Sequence, residues 1–441
     1  MLVSFKTLGC PKNENDTEYA KGILEKNGYE ITDDFVDSDI VIVNTCGFIN
    51  DAKIESIETI LDIVSMKENA ENPKILVVSG CLSKRYFSDL QKEMPEVDIF
   101  IGVNEYARLP QILAAYLDDK RKIADVNPCS AEFEELYYRK LEENPYTAHI
   151  KIAEGCNNAC TYCVIPSIRG HYRSRKEENI IAEAEMLAQK GCKELIIIAQ
   201  DVTAYGMDIY GKKALPSLLQ KLCKIDGIKW IRLMYCYEDK ITDELIDVIA
   251  KEEKICKYID IPLQHIDDKV LKLMNRKSTN SSIISTISKL RERIPQIHIR
   301  TTFITGFAGE GKEEFDRLYD FVKTSRFERL GVFAYSKEEG TAGAKLKEQV
   351  PNKIKEKRKD SIMRLQLEVS RESNEAKIGQ VFDIMVDGID EEGAYIGRTM
   401  YDAPQIDNSV IFTSHRCLRA GDMVKVLIRD AFDYDLVGEM I

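Results

Sequence analysis

Several kinds of segment are missing from this chain of 441 residues. No run of apolar residues approaches the roughly 18 consecutive positions of a membrane-spanning helix. The stretch MLVSFKTLGC at residues 1–10 has neither the basic region nor the apolar length of a signal peptide. Low-complexity tracts are missing as well. These absences argue against a membrane or secreted protein, and we expect the chain to work in the cytoplasm.

Charge and cysteine content narrow the function classes further. The net charge of −12 argues against a surface built mainly to bind nucleic acid. Twelve cysteines without a recognisable secretion signal argue against a disulfide framework, because the cytosol keeps thiols reduced. Metal binding, catalysis and burial remain as roles for them. Six cysteines form two patterned sets, and we expect the other six to be packing residues: Cys129, Cys192, Cys223, Cys236, Cys256 and Cys417.

The first set consists of Cys10, Cys46 and Cys81, which end three apolar strands at intervals of 36 and 35 residues. Each strand is followed by a helical stretch, and this alternation predicts a parallel sheet. Ligands of such sheets bind at the carboxyl ends of the strands, so the fold should gather the three thiols. Chance placement of three buried cysteines is the alternative. Three thiolates without an obvious fourth ligand suit an iron–sulfur cluster with one open iron better than structural zinc.

Residue periodicity divides the chain into four segments. Residues 1–115 predict a parallel α/β domain, 116–145 a linker, 146–375 a second α/β domain, and 376–441 a small all-β barrel. The third segment alternates six strands with helices, which predicts a partial TIM-type barrel of six β/α units with its active site at the C-terminal strand ends. The six predicted strands are 148–153, 194–199, 230–235, 258–262, 298–304 and 330–335.

The second set lies in the loop EGCNNACTYC and consists of Cys156, Cys160 and Cys163. Three thiolates at this spacing can occupy three corners of a [4Fe–4S] cluster and leave the fourth iron open. A zinc site completed by His149 or His171 is the alternative. Zinc motifs favour two Cys-x2-Cys pairs or a Cys/His pair at set spacing, and the sequence has neither.

The second set, with Tyr162 before its last cysteine, resembles the radical S-adenosylmethionine (SAM) superfamily. There the open iron binds SAM, and reduction releases a 5′-deoxyadenosyl radical. Together with the N-terminal cysteines and the β-barrel tail, the whole chain resembles the methylthiotransferase family, and the tail resembles a TRAM domain. The segment TTFITGFAGE resembles a later barrel segment of that family, with Ala308 where proline is usual.

This resemblance implies a second [4Fe–4S] cluster on Cys10, Cys46 and Cys81, and a second SAM molecule as methyl donor. It also implies that Tyr162 lies against the adenine of SAM. Methylthiolation replaces a hydrogen on a carbon that no side-chain base could deprotonate at neutral pH. A radical derived from a cofactor can remove that hydrogen instead.

Further site residues are expected at the C-terminal ends of the barrel strands. Gln200 and Asp201 stand where radical SAM proteins commonly contact SAM, and Gly306 is expected to help bind this cofactor. His265 and Arg173 are candidate substrate contacts. A structural role is the alternative for His265, and a solvated loop is the alternative for the RGHYRSR stretch that contains Arg173.

Three stretches indicate the substrate branch: LGCPKNENDTE, NTCGFINDAKIESI and IDIPLQHIDDKVLKLMNR. They resemble the branch that modifies an aspartate of ribosomal protein S12, whereas the tRNA-modifying branch usually has Gln-Asn after the first cysteine. Residues 376–441 carry twelve acidic and six basic side chains, a net charge of −6. An acidic tail suits a basic ribosomal protein, although solubility alone would explain it.

We therefore predict methylthio addition to the β-carbon of an S12 aspartate, in the free protein or in the small ribosomal subunit. Stable tRNA binding and membrane partners are not expected, and the sequence names no electron donor and no sulfur donor. One alternative is methylthiolation of a tRNA adenosine by the same machinery. Another is a non-catalytic, metal-stabilised protein that binds RNA or the ribosome.

Overall fold

A computed structural model of the chain describes residues 1–69, 74–129, 133, 135, 138–141 and 145–441. The chain divides into two compact units, and each is assembled from discontinuous segments. The first comprises Met1–Glu143, Ala153–Asn158 and Cys163–Arg175. The second comprises Asn144–Ile152, Ala159–Tyr162 and Lys176–Ile441. None of the helices in the described part of the chain combines the length and apolar character needed to cross a membrane.

The first unit begins with alternating strands and helices: β1 (Leu2–Thr7), α1 (Pro11–Lys26), β2 (Glu30–Ile31), β3 (Ile40–Thr45), α2 (Asn50–Asn69), β4 (Ile75–Ser79), α3 (Gly80–Glu93), β5 (Ile99–Ile101), α4 (Leu109–Asp119) and β6 (Ile123–Asp125). Its six strands form one parallel sheet in the order β2-β1-β3-β4-β5-β6. The order reverses between β1 and β3. In doubly wound sheets such a switch point opens the crevice where ligands bind.

Alternation along the strands explains why helices cover both faces of this sheet. In β3, Ile40 and Ile42 belong to one hydrophobic cluster, which also contains residues of α1 and α4. Val41 and Val43 belong to a second cluster, with residues of α2 and α3. Both sides of a central strand are therefore buried, as its continuous apolar sequence requires.

The three apolar strands predicted before Cys10, Cys46 and Cys81 are present as β1, β3 and β4, but the sequence analysis missed three short strands. β2, β5 and β6 have only two or three residues each, too few for a periodic pattern. β6 pairs with β5 in the sheet. It lies within residues 116–145, which the sequence indicates as a linker, so part of that segment is sheet.

The chain next contributes β7 (Thr147–Lys151) to the second unit and returns to the first with β8 (Ala153–Glu154), α5 (Ile165–Arg169) and β9 (Arg173–Ser174). β8 and β9 pair antiparallel, with Glu154 opposite Arg173. This pairing holds the two ends of the second cysteine loop together within the first unit.

The second unit continues with α6 (Glu177–Gln189), β10 (Glu194–Ile198), α7 (Leu215–Leu222), β11 (Trp230–Leu233), α8 (Asp243–Lys251), β12 (Ile255–Gln264), α9 (Asp268–Leu273), α10 (Asn280–Arg293), β13 (His298–Thr305), α11 (Lys312–Ser325), β14 (Arg329–Ala334) and α12 (Asn352–Glu375). Its six-stranded sheet has the order β7-β10-β11-β12-β13-β14, and every pairing is parallel. Neighbouring strands of this sheet follow one another in chain order, as in a TIM-type barrel, and β7 and β14 stand at the two edges. The predicted six β/α units are confirmed.

The tail forms a closed five-stranded barrel from β15 (Val381–Ile389), β16 (Tyr395–Thr399), β17 (Val410–Thr413), β18 (Met423–Ala431) and β19 (Leu436–Met440), in the order β15-β16-β17-β19-β18. Inward-facing residues such as Val410, Phe412 and Val426 form its core. The fold class predicted from the sequence is thereby confirmed in all three of its parts.

Candidate active site

The three N-terminal cysteines stand at the carboxyl edge of the first unit's sheet. Cys10 is the N-cap of α1 after β1, Cys46 follows β3, and Cys81 is the second residue of α3 after β4. β1, β3 and β4 are neighbours in the sheet, and Cys10 and Cys46 flank its switch point. The topology therefore gathers three thiols that are far apart in sequence, at the position where such sheets bind ligands.

Two glycines allow the cysteine loops to approach this closely. Gly9 has a φ of +94°, and a Cβ there would lie 2.8 Å from the Cβ of Cys46. Gly80 has a φ of +92°, and its Cβ would lie 2.5 Å from the side-chain oxygen of Asn44. Any larger residue at either position would be strained by its backbone and would push the loops apart.

Burial sets the electrostatics of this cysteine set. Cys46 and Cys81 are buried, whereas Cys10 is partly exposed. The pKa of the Cys81 thiol is raised to about 11, because burial and the neighbouring Cys10 raise it more than the Arg169 guanidinium lowers it. Iron–sulfur clusters bind thiolates. Because burial disfavours a negative charge on Cys81, its thiolate is stable here only when the positive charge of a metal balances it. Three convergent thiols beside a buried cation therefore fit a cluster.

The described residues include no group of three or more His, Cys, Asp or Glu side chains close enough to hold a single metal ion. A cubane cluster asks for a different arrangement, because each thiolate binds a separate iron. His171, one suggested zinc ligand, is exposed, and its ring nitrogen lies 3.3 Å from the Asn157 side-chain oxygen.

The side chain of Arg169, at the end of α5, is a site residue whose position the sequence did not reveal. It is 2% exposed, and its guanidinium lies 3.1 Å from carboxylate oxygens of both Asp16 and Glu154. The Nη2 atom donates to the Asn13 side-chain oxygen at 2.8 Å and stands 3.7 Å from the sulfur of Cys81.

The other arginines of RGHYRSR are buried as well, so the solvated-loop interpretation of this stretch is wrong. Arg173 is 4% exposed and donates to the carbonyl of Arg169 at 3.0 Å. Arg175 pairs with Glu135 at 2.9 Å. Carboxylates and carbonyls of the same unit hold these side chains inside it, which a local stretch of sequence cannot reveal.

The loop of the second cysteine set is shaped by backbone contacts. The N–H of Cys156 donates to the carbonyl of Gly170 at 3.1 Å. The sulfur atoms of Cys156 and Cys163 each accept a backbone N–H at 3.4 Å, from Asn158 and Ile165. Hydrogen bonds to sulfur favour its thiolate form, which metal ligation requires.

In the second unit, the residues next to Cys160 contact the end of α9 and the loop after β13. The ring of Tyr162 stands edge-on to Phe307, with centroids 6.3 Å apart. The Thr161 hydroxyl donates to the carbonyl of Leu273 at 2.8 Å. These contacts leave Tyr162 partly exposed, which a contact with SAM would require.

Arg276, which the sequence analysis did not single out, also lies in this neighbourhood. Its side chain is 2% exposed, packs over the ring of Tyr237, and donates to the carbonyl of Pro262 at 3.0 Å. Burial lowers the pKa of Arg276, but Tyr162 and Cys160 are among the groups that raise it overall. Its Nη1 atom is buried and has no hydrogen-bond partner among the described residues.

The remaining predicted cofactor contacts differ in accessibility. Gln200 is partly exposed after the end of β10, whereas Asp201 is 1% exposed and pairs with Lys240 and the Thr203 hydroxyl. Gly306 has a φ of +71° and donates its N–H to Glu310 at 2.8 Å. Asp201 therefore joins the segment after β10 to the segment after β11, and Gly306 stabilises the loop after β13.

His265, one of the two candidate substrate contacts, has no accessible side-chain surface. Its Nε2 lies 3.3 Å from the Glu310 carboxylate, and its Nδ1 accepts the N–H of Asp267 at 3.0 Å. An acceptor at Nδ1 places the ring proton on Nε2. The geometry favours the structural alternative for His265.

Part of the acidic tail is also buried. Asp402 is 4% exposed and accepts from Arg329 at 3.1 Å, and the Asp407 carboxylate is 3% exposed, 3.4 Å from Arg300. Asp402 and Asp407 therefore cannot contribute to an acidic surface that binds a basic ribosomal protein. Exposed acidic residues of the tail only slightly outnumber its exposed basic ones: Asp383, Glu391, Glu392, Asp430 and Asp433 against Arg416, Arg419, Lys425 and Arg429.

Three family models match the chain. Residues 2–102 match the Uncharacterized protein family UPF0004, 150–322 match the Radical SAM superfamily, and 378–441 match the TRAM domain. Curated relatives cover its whole length. The uS12 methylthiotransferase RimO of Acetivibrio thermocellus is 47% identical over 100% of this chain and 98% of its own. The RimO protein of Clostridioides difficile strain 630 is 45% identical over 100% and 99%.

The chain belongs to the ribosomal protein uS12 methylthiotransferase (RimO) family. The methylthiotransferase family predicted from the sequence is thus confirmed. Among solved structures, the chain is similar in fold to the radical SAM methyltransferase TsrM of Kitasatospora setae. That likeness has a TM-score of 0.57 and 16% identity, and covers 75% of this chain and 72% of TsrM.

Proposed function

We propose that this chain is a radical SAM methylthiotransferase that adds a methylthio group to the β-carbon of an aspartate in ribosomal protein uS12. The observation that carries this proposal is full-length identity of 45–48% to relatives named for this reaction. The tRNA alternative finds no support among these relatives. A non-catalytic role gives no reason for two separate sets of three thiols.

Membership in the radical SAM superfamily implies one [4Fe–4S] cluster and SAM. Cys156, Cys160 and Cys163 would hold this cluster, since they are the three closely spaced cysteines of the matched region. When bound, such a cluster supplies the electron that cleaves SAM and so provides for removal of the aspartate hydrogen. The chain's own residues bind, orient and enclose the reactants.

A second cluster is proposed on Cys10, Cys46 and Cys81, where its open iron would present sulfur. Support comes from their place at the sheet's switch point, and from glycines that leave no room for larger side chains beside them. A reaction that joins sulfur to a carbon radical needs a sulfur source apart from the radical-generating group. Two donor sets in one chain meet that need.

SAM contacts are proposed from the second unit's strand ends. Tyr162 and Gln200 are partly exposed and can touch the cofactor, whereas Asp201 and Gly306 would act by holding the loops that carry such contacts. The Nη2 atom of Arg276 pairs with the buried Glu238 at 3.4 Å, and its Nη1, which has no hydrogen-bond partner among the described residues, suits the carboxylate of SAM.

The substrate is tested by mass spectrometry. Anaerobically reconstituted protein receives SAM, reductant and sulfide, with small ribosomal subunits and tRNA in the same tube. We expect a methylthio gain on one aspartate peptide of uS12, unchanged tRNA nucleosides, and both deoxyadenosine and S-adenosylhomocysteine as by-products. A gain on adenosine would overturn the substrate, and the absence of either by-product would overturn the reaction scheme.

A further inference from the structure

Arg169 is a buried cation in an unusually acidic setting. One guanidinium lies 3.1 Å from each of two carboxylates, Asp16 and Glu154, which are themselves 5% and 8% exposed. A buried ion pair needs one opposite charge, and a second carboxylate adds a further desolvation cost. The site nevertheless gathers these groups beside cysteines that would become negative on metal binding. Formation of a single buried ion pair therefore does not explain why these groups lie together.

The direction of the guanidinium indicates what it serves. The Nη1 atom donates to the carboxylates of Asp16 and Glu154. The Nη2 atom donates to the Asn13 side-chain oxygen at 2.8 Å and stands 3.7 Å from the sulfur of Cys81. Asn13 in turn donates to the carbonyls of Leu8 and Thr45 at 2.9 and 3.1 Å. These carbonyls precede Cys10 and Cys46 closely in the chain. Arg169 thus contacts one cysteine directly and the loops of the other two through a single amide.

We propose that Arg169 is a positioning residue of the N-terminal cysteine set, holding the Cys81 sulfur with a charged hydrogen bond and compensating the thiolates of a bound cluster. This inference rests on the proposed function, in which Cys10, Cys46 and Cys81 hold a second cluster. Net charge and hydrogen bonds to sulfur are two of the properties that set the reduction potential of such clusters. Arg169 therefore tunes this cluster as well as placing its ligand.

The bond to Glu154 extends this role to the second cysteine loop. Glu154 lies two residues before Cys156, and Arg169 lies six residues after Cys163. All of these residues belong to the first unit. The Arg169 side chain thereby joins both ends of the second cysteine loop to the start of α1, next to the N-terminal cysteine set.

The test isolates the N-terminal set in the full chain by combining C156A, C160A and C163A. In this background we compare Arg169 with Arg169→Lys and Arg169→Met. Arg139→Met is the matched control, because Arg139 is 1% exposed and pairs with Glu18 on the same helix α1. Each protein is reconstituted anaerobically, and iron content, circular dichroism and the midpoint reduction potential are measured.

We expect Arg169→Met to shift the potential to a more negative value, because the reduced cluster loses a positive charge and a hydrogen bond to sulfur. Arg169→Lys keeps the charge but cannot reproduce the forked contacts, so its shift is smaller and in the same direction. Arg139→Met leaves the potential unchanged. Loss of iron in Arg169→Met alone, with native circular dichroism, also supports the positioning role.

Equal potentials and equal iron in the parent, Arg169→Lys and Arg169→Met would overturn the inference. If Arg169→Met does not fold, the comparison rests on Arg169→Lys. A reduction potential of Arg169→Lys equal to that of the parent would then overturn the inference. If the parent itself binds no iron with Arg169 intact, the second cluster of the proposed function fails instead. The two failures are therefore distinguishable.

Discussion

Cys156, Cys160 and Cys163 lie within eight consecutive residues, whereas α1, β2 and β3 lie between Cys10 and Cys46, and α2 and β4 lie between Cys46 and Cys81. The first group is brought together by one loop, and its spacing makes the set recognisable in the sequence. The second group is assembled by sheet topology, at the reversal between β1 and β3. A local set depends on few neighbours, while an assembled set depends on every element that aligns the three strand ends.

The largest effects should come from removing one thiol from each set. We expect Cys156→Ala to abolish deoxyadenosine formation, because the radical-generating cluster loses a ligand. Cys81→Ala should abolish methylthio transfer but retain deoxyadenosine formation. Chromatography of the SAM products measures both, with Cys223→Ala as a control for loss of a thiol outside the two sets. Loss of deoxyadenosine in Cys81→Ala would show that the sets are not separable.

A buried ion pair offers a way to weaken the second unit alone. Asp402→Asn leaves the buried Arg329 without its carboxylate, and we expect it to lower the unfolding free energy by about 3–5 kcal/mol. Asp383→Asn is the control, because its pair with Lys425 is exposed and contributes less than about 1 kcal/mol. Chemical denaturation measures both. Iron on the N-terminal set should persist in Asp402→Asn, because Asp402 and Arg329 both belong to the second unit, and loss of that iron would contradict an effect confined to this unit.

Substitution at a cysteine loop should weaken the first unit instead. Gly80→Ala places a Cβ 2.5 Å from Asn44, and Gly28→Ala is the control because a Cβ at Gly28, φ +86°, has no neighbour within 4 Å. Both alanines suffer the same backbone strain, so their difference reports the clash. We expect Gly80→Ala to be less stable than Gly28→Ala by up to about 3 kcal/mol. It should also lose iron from the N-terminal set, whereas equal iron content would contradict the assembled-set account.

Acid should act on the second unit through Asp402. Although burial raises the pKa of this carboxyl, Arg329 and Lys377 lower it overall, from 3.8 to about 2. The stability it contributes is therefore present above pH 3.8 and is lost as the pH falls to about 2, which amounts to about 2 kcal/mol. Acid titration of wild type and Asp402→Asn measures this loss. Burial raises the pKa of Asp407, which gives the opposite sign, so only the difference between the proteins isolates Asp402. Parallel acid titrations would contradict this assignment.

Much of the fold was readable from the sequence because its signals are periodic. The six strands of the second unit and the five of the tail carry alternating or continuous apolar runs with turn residues between them. β2, β5 and β6 have too few residues for such a pattern. The division at residues 115, 145 and 375 stays a prediction, although β6 extends the first sheet to Asp125.

The candidate site could also be predicted only in part from the sequence. Both cysteine sets were visible as spacing, but the partners of charged residues were not. The sequence gives no sign that Arg169 and Asp402 are buried, because their partners come from remote segments: Asp16 for Arg169, and Arg329 for Asp402. Burial of a charge is a property of the assembled chain, so net charge overstated the acidity of the tail surface.

Iron counting tests the central claim that the local and the assembled set each hold a cluster. Wild type, a C156A/C160A/C163A chain and a C10A/C46A/C81A chain would be reconstituted anaerobically and measured by iron analysis and Mössbauer spectroscopy. Two [4Fe–4S] clusters predict about eight iron atoms per wild-type chain and about four in each triple variant. A wild type with about four iron atoms that are all lost in C156A/C160A/C163A would contradict the account, because the assembled set would then bind no cluster.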